Sequence, residues 1–192
     1  MTRPTRITYT ALATSGGNHT KDSRDLLIDG IGQLNDWLAD AVKDLSAEQV
    51  NWLPAGKTVT IGFNTWHIVR TADNITNFVF QRKQPIWVEK GYFERLALPK
   101  VDQGTGMNLE SARALTIVDP AALLEYARAV AVDTASFLSN VPLDTLMELQ
   151  MIKPLGEMPK WKVFRQVVMT HGFMHLGEIN AIKGQLGLQF SI

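Results

Sequence analysis

Residues 163–184 read VFRQVVMTHGFMHLGEINAIKG. Their apolar pattern predicts one long helix, ended by Gly184 and Gly187. Residues three and four apart share a helix face. One face runs Phe164, Val167/Val168, His171, His175, Glu178 and Ile182, and such steps mark a buried seam. Two imidazoles and a carboxylate therefore stand where an all-apolar helix would carry Leu or Ile. A third histidine, His67, lies in another helical stretch. The three are expected to meet around one divalent metal.

Working outward, the rest of the chain offers this helix partners of the same kind. Leu27, Ile31, Leu34, Leu38, Ala41 and Leu45 make an amphipathic stripe that predicts a helix over 23–45. Ser46-Ala-Glu-Gln49 has the form of a capping box and predicts a short extra turn. A second long helix is predicted over 61–81, with Ile61, Thr65, Ile68, Ala72, Ile75 and Val79 as its core stripe. Beside that stripe runs a polar one of Asn64, His67, Thr71 and Asn74. This second stripe either faces water, the commoner fate of such residues, or lines a pocket. A third helix starts where Asp119 caps and Pro120 takes the first position. Its buried face is Leu123/Leu124, Ala127, Val130/Ala131, Thr134 and Phe137/Leu138.

The connections set the topology. Residues 82–118 are too many for a structureless loop in a compact domain, so they are expected to be functional or partly helical. Gly104-Thr-Gly106 within them reads as a turn rather than a phosphate loop. Residues 143–160, with Pro154, Gly156 and Pro159, read as a further connection without a convincing strand. The expected fold is all-α: a four-helix bundle with a long crossover between helices 2 and 3, which lets those two run parallel. The 192 residues fit one domain, with the Thr-rich residues 1–22 as an N-terminal arm. His19, in that polar arm, reads as a solvated residue.

Composition excludes several function classes. Lys+Arg and Asp+Glu balance at 19 each, with no basic patch to track a nucleic-acid backbone. No cysteine is present, so a disulfide framework, a thiolate zinc site and a cysteine nucleophile are all ruled out. No apolar run at the N-terminus suits a signal peptide or a membrane span. A cytoplasmic protein acting on a small molecule, with neither nucleic acid nor membrane as partner, is the expectation.

Helical bundles build metal sites from side chains that project inward from facing helices. Neutral imidazoles bind zinc, nickel or iron. Three histidine ligands leave a coordination position open, as in catalytic zinc sites. In the metalloprotease signature H-E-x-x-H a glutamate follows the first histidine, whereas Gly172 follows His171 here. Glu178, one turn beyond His175, is the candidate catalytic group. It could be a fourth ligand, a partner of a ligand imidazole or a general base. Asn64, one turn before His67, could reach a bound water.

Two segments carry a family resemblance. Ile61-Gly-Phe-Asn-Thr-Trp-His67-Ile-Val-Arg and His171-Gly-Phe-Met-His175-Leu-Gly-Glu-Ile179 resemble the histidine motifs of the DinB-like (DinB/YfiT) superfamily of metal-binding four-helix bundles. The resemblance extends from about residue 23 to the end. It implies one divalent ion on His67, His171 and His175, often in a homodimer. It also implies a relation to enzymes that use a low-molecular-weight thiol cosubstrate for S-transfer or isomerisation, although many relatives have no known activity. Glu178 stands where the family motif usually has Gln, which adds negative charge near the ion. The readings are a metal-dependent enzyme, a non-catalytic metal- or small-ligand-binding stress-response dimer, and a plain helical interaction protein whose histidines are satisfied core residues. Trp37, Trp87 and Phe93 fall outside the core stripes and suit a dimer interface. The crossover from Trp87 to Met107 is expected to shape the substrate pocket.

Overall fold

A computed structural model of the protein describes residues 22–190. The arm up to residue 21, with His19, lies outside the described residues. Helix α1 spans Ser23–Val42, and the Asp22 side chain caps it in a capping box closed by Asp25. Leu27, Ile31, Leu34, Leu38 and Ala41 are buried as their spacing predicts. Helix α2 is the short turn Ala47–Asn51, and Ser46 and Gln49 cap each other as expected.

Helix α3 spans Ile61–Asp73 and continues as a π-helical turn over Asn74–Phe80. All of α3 is buried, not only its apolar stripe. The reason is the crossover, which folds back over the side that would otherwise face water. It contains α4 (Ile86–Glu89), α5 (Tyr92–Arg95) and α6 (Leu109–Ala114). Asp73 pins its start. The carboxylate has no exposed surface and accepts from the backbone N–H of Ile86 (3.0 Å) and Trp87 (2.9 Å), from the Tyr126 hydroxyl (2.6 Å) and from Asn77 Nδ2 (3.0 Å). A carboxylate so completely hydrogen-bonded tolerates burial.

Helix α7 spans Pro120–Asn140, with Asp119 as its cap and Pro120 in its first turn. Asp73 meets Tyr126 and Asn77 meets Asp133, so partners advance in the same sense and α3 and α7 run parallel. Helix α8 (Leu143–Met147) leads into a feature absent from the sequence reading. β1 (Leu149–Ile152) and β2 (Gly156–Pro159) form a small antiparallel hairpin. Only Met158 of its residues is buried, so no apolar alternation marks it.

The last helix comes in three parts. They are α9 (Lys160–Val163), a second π-helical turn (Phe164–Thr170) and α10 (His171–Gln185). Its buried residues are Val163, Phe164, Val168, Gly172, Leu176, Ile179, Ile182 and Lys183, so Phe164, Val168 and Ile182 of the expected seam are buried. From Phe164 to Leu176 the seam advances by fours, because a π turn takes up an extra residue. The expected seam through His171, His175 and Glu178 is corrected by this shift. The two histidines are half-buried beside the seam, and Glu178 is exposed.

The supposed interface aromatics also change place. Trp87 is fully buried against Trp66 and Tyr126, and its indole N–H donates to the Pro99 carbonyl at 3.1 Å. Trp37 packs edge-on against Phe173, and Phe93 is half-buried beneath the Lys100 ammonium. Among the described residues, no helix is long and apolar enough to cross a membrane.

Candidate metal centre

His67 comes from the middle of α3, and His171 and His175 from the first turns of α10. The two helices are antiparallel, since Asn64 meets His175 while His67 meets His171. Gly172 allows the approach of α10 to α1. A Cβ there would lie 2.3 Å from Leu34 Cδ2, so the position that holds glutamate in H-E-x-x-H is taken up by helix packing.

The three imidazoles turn their Nε2 atoms toward one another. His171 Nε2 lies 3.1 Å from His67 Nε2 and 3.1 Å from His175 Nε2. The rings stand nearly perpendicular, at 80° to 86°. Ligand nitrogens about 2.0–2.1 Å from a common tetrahedral ion would be separated by similar distances. The group could hold a metal ion.

The outer nitrogens show how the protons are placed. His67 Nδ1 lies 2.5 Å from the Gln103 carbonyl oxygen, which can only accept. The Nδ1–H of His67 therefore donates outward and its Nε2 turns a lone pair inward. His175 Nδ1 lies 2.8 Å from the Glu178 carboxylate and 3.1 Å from Asn64 Oδ1, with the same consequence. His171 Nδ1 is buried and has no hydrogen-bond partner among the described residues. Either neutral tautomer of His171 leaves one buried nitrogen unsatisfied, which is unfavourable. A cation between the three Nε2 atoms satisfies the inward lone pairs, so this donor set fits a divalent metal of the zinc, nickel or iron type.

Electrostatics favour the neutral, ligating forms. Burial, with His175 and His67 adding to it, pushes His171 down to about 4. Burial likewise lowers His67, against the opposing effect of the Gln103 carbonyl. Ligation requires neutral imidazole.

The other expected site residues divide. Asn64 is fully buried and touches His175, while its Nδ2 has no partner among the described residues. Thr71, one turn beyond His67, is buried, and its hydroxyl has no partner among the described residues. It does not face water, as its residue type alone favours. Asn74, at the start of the π turn, is half-exposed. Glu178 lies on Nδ1 of His175, the ring nitrogen turned away from the Nε2 cluster. Sequence reasoning missed Gln103, whose contribution is a backbone carbonyl and carries no side-chain signal. It also missed Arg70 and Asp73, which follow His67 at helical steps of three and hold the crossover.

No curated protein matches the chain. Among solved structures, it is similar to a conserved protein from Enterococcus faecalis, with a TM-score of 0.77 and 16% identity. That likeness covers 88% of this chain and 99% of the other, and it shows the shared fold. The family model of the DinB superfamily matches residues 33–179, a span that holds all three histidines and the crossover, and the chain belongs to that superfamily.

Proposed function

We propose that the chain is a divalent-metal-dependent enzyme of the DinB-like type, with His67, His171 and His175 as the metal ligands. The observation that carries this reading is the convergence of three Nε2 atoms with two of the outer N–H groups already engaged. A bound ion with an open position would supply Lewis acidity and lower the pKa of a thiol or a water, for S-transfer, isomerisation or hydrolysis.

The chain's own residues do the rest. Gln103 and Glu178 fix the proton of His67 and of His175 on the outer nitrogen. Asn64 steadies His175 from the α3 side and keeps a free amide N–H₂ next to the histidine cluster. Of the roles open to Glu178, orientation of His175 agrees best with its place on Nδ1. His171 and His175 are only half-buried, so a small substrate approaches from the α10 side, with the crossover as the opposite wall. A homodimer, which rests on the family resemblance, completes the proposal, and its place in the cytoplasm rests on the cysteine-free sequence. Light scattering at tens of micromolar tests the dimer, and a monomer would count against it.

The functional test incubates metal-loaded protein with electrophiles and each of several low-molecular-weight thiols, and separately with hydrolysable esters and amides. Turnover that His175→Ala abolishes is the expected result. Metal that stays bound with no turnover on any of them would favour a non-catalytic binding protein.

A further inference from the structure

We infer that the Asp102–Gly104 turn of the crossover is an orienting clamp on His67, and that Arg70 is the positioning residue that holds it. The metal affinity of the site is then set partly by a side chain that touches neither ion nor substrate. This rests on the metal-centre reading above.

Four observations build the clamp. The Gln103 carbonyl sits 2.5 Å from His67 Nδ1. Gly104 follows at φ +90°, and a Cβ there would stand 3.1 Å from His67 Nδ1, 3.0 Å from the Phe63 ring and 3.2 Å from the Trp66 ring. Both the backbone angle and the close approach call for glycine. The turn is closed by the Asp102 carboxylate, which accepts from the Gly104 N–H at 2.7 Å. Arg70, only 2% exposed, then ties the turn to α3. Its Nε donates to the Asp102 carbonyl at 3.3 Å and its Nη2 reaches the Val101 carbonyl at 3.5 Å.

Arg70 is itself held from behind. Its guanidinium lies 5.2 Å over the Trp87 ring, and Nη1 is 3.7 Å from the Asp73 carboxylate. A buried cation is unfavourable unless paired. Here the planar fork spends two donors on the backbone of one loop, a use that suits arginine and not lysine. The consequence falls on His67. A neutral imidazole has one N–H, and an outward acceptor decides which nitrogen carries it. Without the Gln103 carbonyl in place, the proton is free to sit on Nε2, where it blocks ligation. His171 has no such outer partner among the described residues and serves as the internal contrast.

The test uses the full chain in metal-free form, with two readouts. Long-range ¹H–¹⁵N spectra of the imidazoles report the His67 tautomer, and competition with a chromogenic chelator reports zinc affinity. Wild-type His67 is expected as Nδ1–H. Asp102→Ala, at an exposed residue, and Gly104→Ala are expected to shift part of His67 to Nε2–H. They should weaken zinc binding by about 10- to 100-fold, the usual range for partners of a ligand, and leave the His175 tautomer unchanged. Arg70→Met should do the same. If that variant does not fold, Arg70→Lys decides, with weakened zinc binding expected. Zinc affinity within about twofold of wild type in the folded variants would overturn the clamp. Wild-type His67 found as Nε2–H would overturn it even if the protein bound no zinc, an outcome that would separately defeat the metal-centre reading.

Discussion

The two walls of the histidine cluster are built differently. On the α3 side every residue is buried, and three of the polar ones are tied to the crossover: Asp73 to residues 86–87, Arg70 to 101–102 and His67 to 103. On the α10 side the histidines are half-buried and Glu178 is exposed. On the first wall Asp73 and Arg70 hold the fold together, and on the second the polar groups stand nearer to solvent. The contrast teaches that a polar residue next to the histidine cluster need not serve chemistry. Its burial and its partners decide.

The largest expected effect is on the closed wall. Asp73→Ala leaves two backbone N–H groups and the Tyr126 hydroxyl without their acceptor, takes one acceptor from Asn77, and removes the carboxylate 3.7 Å from the Arg70 guanidinium. It should destabilise the protein by about 3–5 kcal/mol, the usual result of breaking a buried pair. That is a large part of a typical domain's stability. Urea denaturation checks it, and a change under about 1 kcal/mol would break the comparison. On the open wall, His175→Ala should abolish metal binding while changing metal-free stability by less than about 1 kcal/mol. A loss of stability as large as that of Asp73→Ala would show that the two walls are not different in kind.

Gly172→Ala probes the seam between them. Its added methyl would meet Leu34 at 2.3 Å. Overpacking of this kind costs about 1–3 kcal/mol, and thermal unfolding should report it with metal binding retained. Glu178→Gln should keep the metal, weaken it by about 10-fold, and alter the pH dependence of any turnover because an ionisable group is removed.

A further expected effect is the pH response of the metal-free protein. His171 is held at about 4 when folded, below its ordinary 6.5. Between those values the unfolded chain binds the additional proton, so stability rises with pH across that window. It is fully present above about 6.5 and lost as pH falls toward 4. His171→Gln should flatten this part of the profile.

Much of this was legible from spacing. The stripes of α1 and α7, the caps at Ser46 and Asp119, and the need for a partly helical crossover all follow from local rules. They concern residues whose neighbours in sequence are also their neighbours in space. The histidine triad was legible because His171 and His175 sit one turn apart and His67 stands in a second apolar helix. What was not legible depends on long-range contact. The π turn at 164–170 rotated the seam off Glu178. Tertiary packing buried Thr71 and Trp87, which residue type and stripe position placed on the surface. The hairpin at 149–159 has no buried apolar face to announce it.

The most direct measurement is elemental analysis of protein purified without an affinity tag or added metal, followed by calorimetric titration with zinc, nickel and iron. The account predicts one divalent ion per chain. It also predicts that His67→Ala, His171→Ala and His175→Ala each abolish binding while remaining folded. A wild-type chain that carries no metal and takes up none of the three ions would contradict it. So would a variant lacking any one of the three histidines that binds as tightly as wild type.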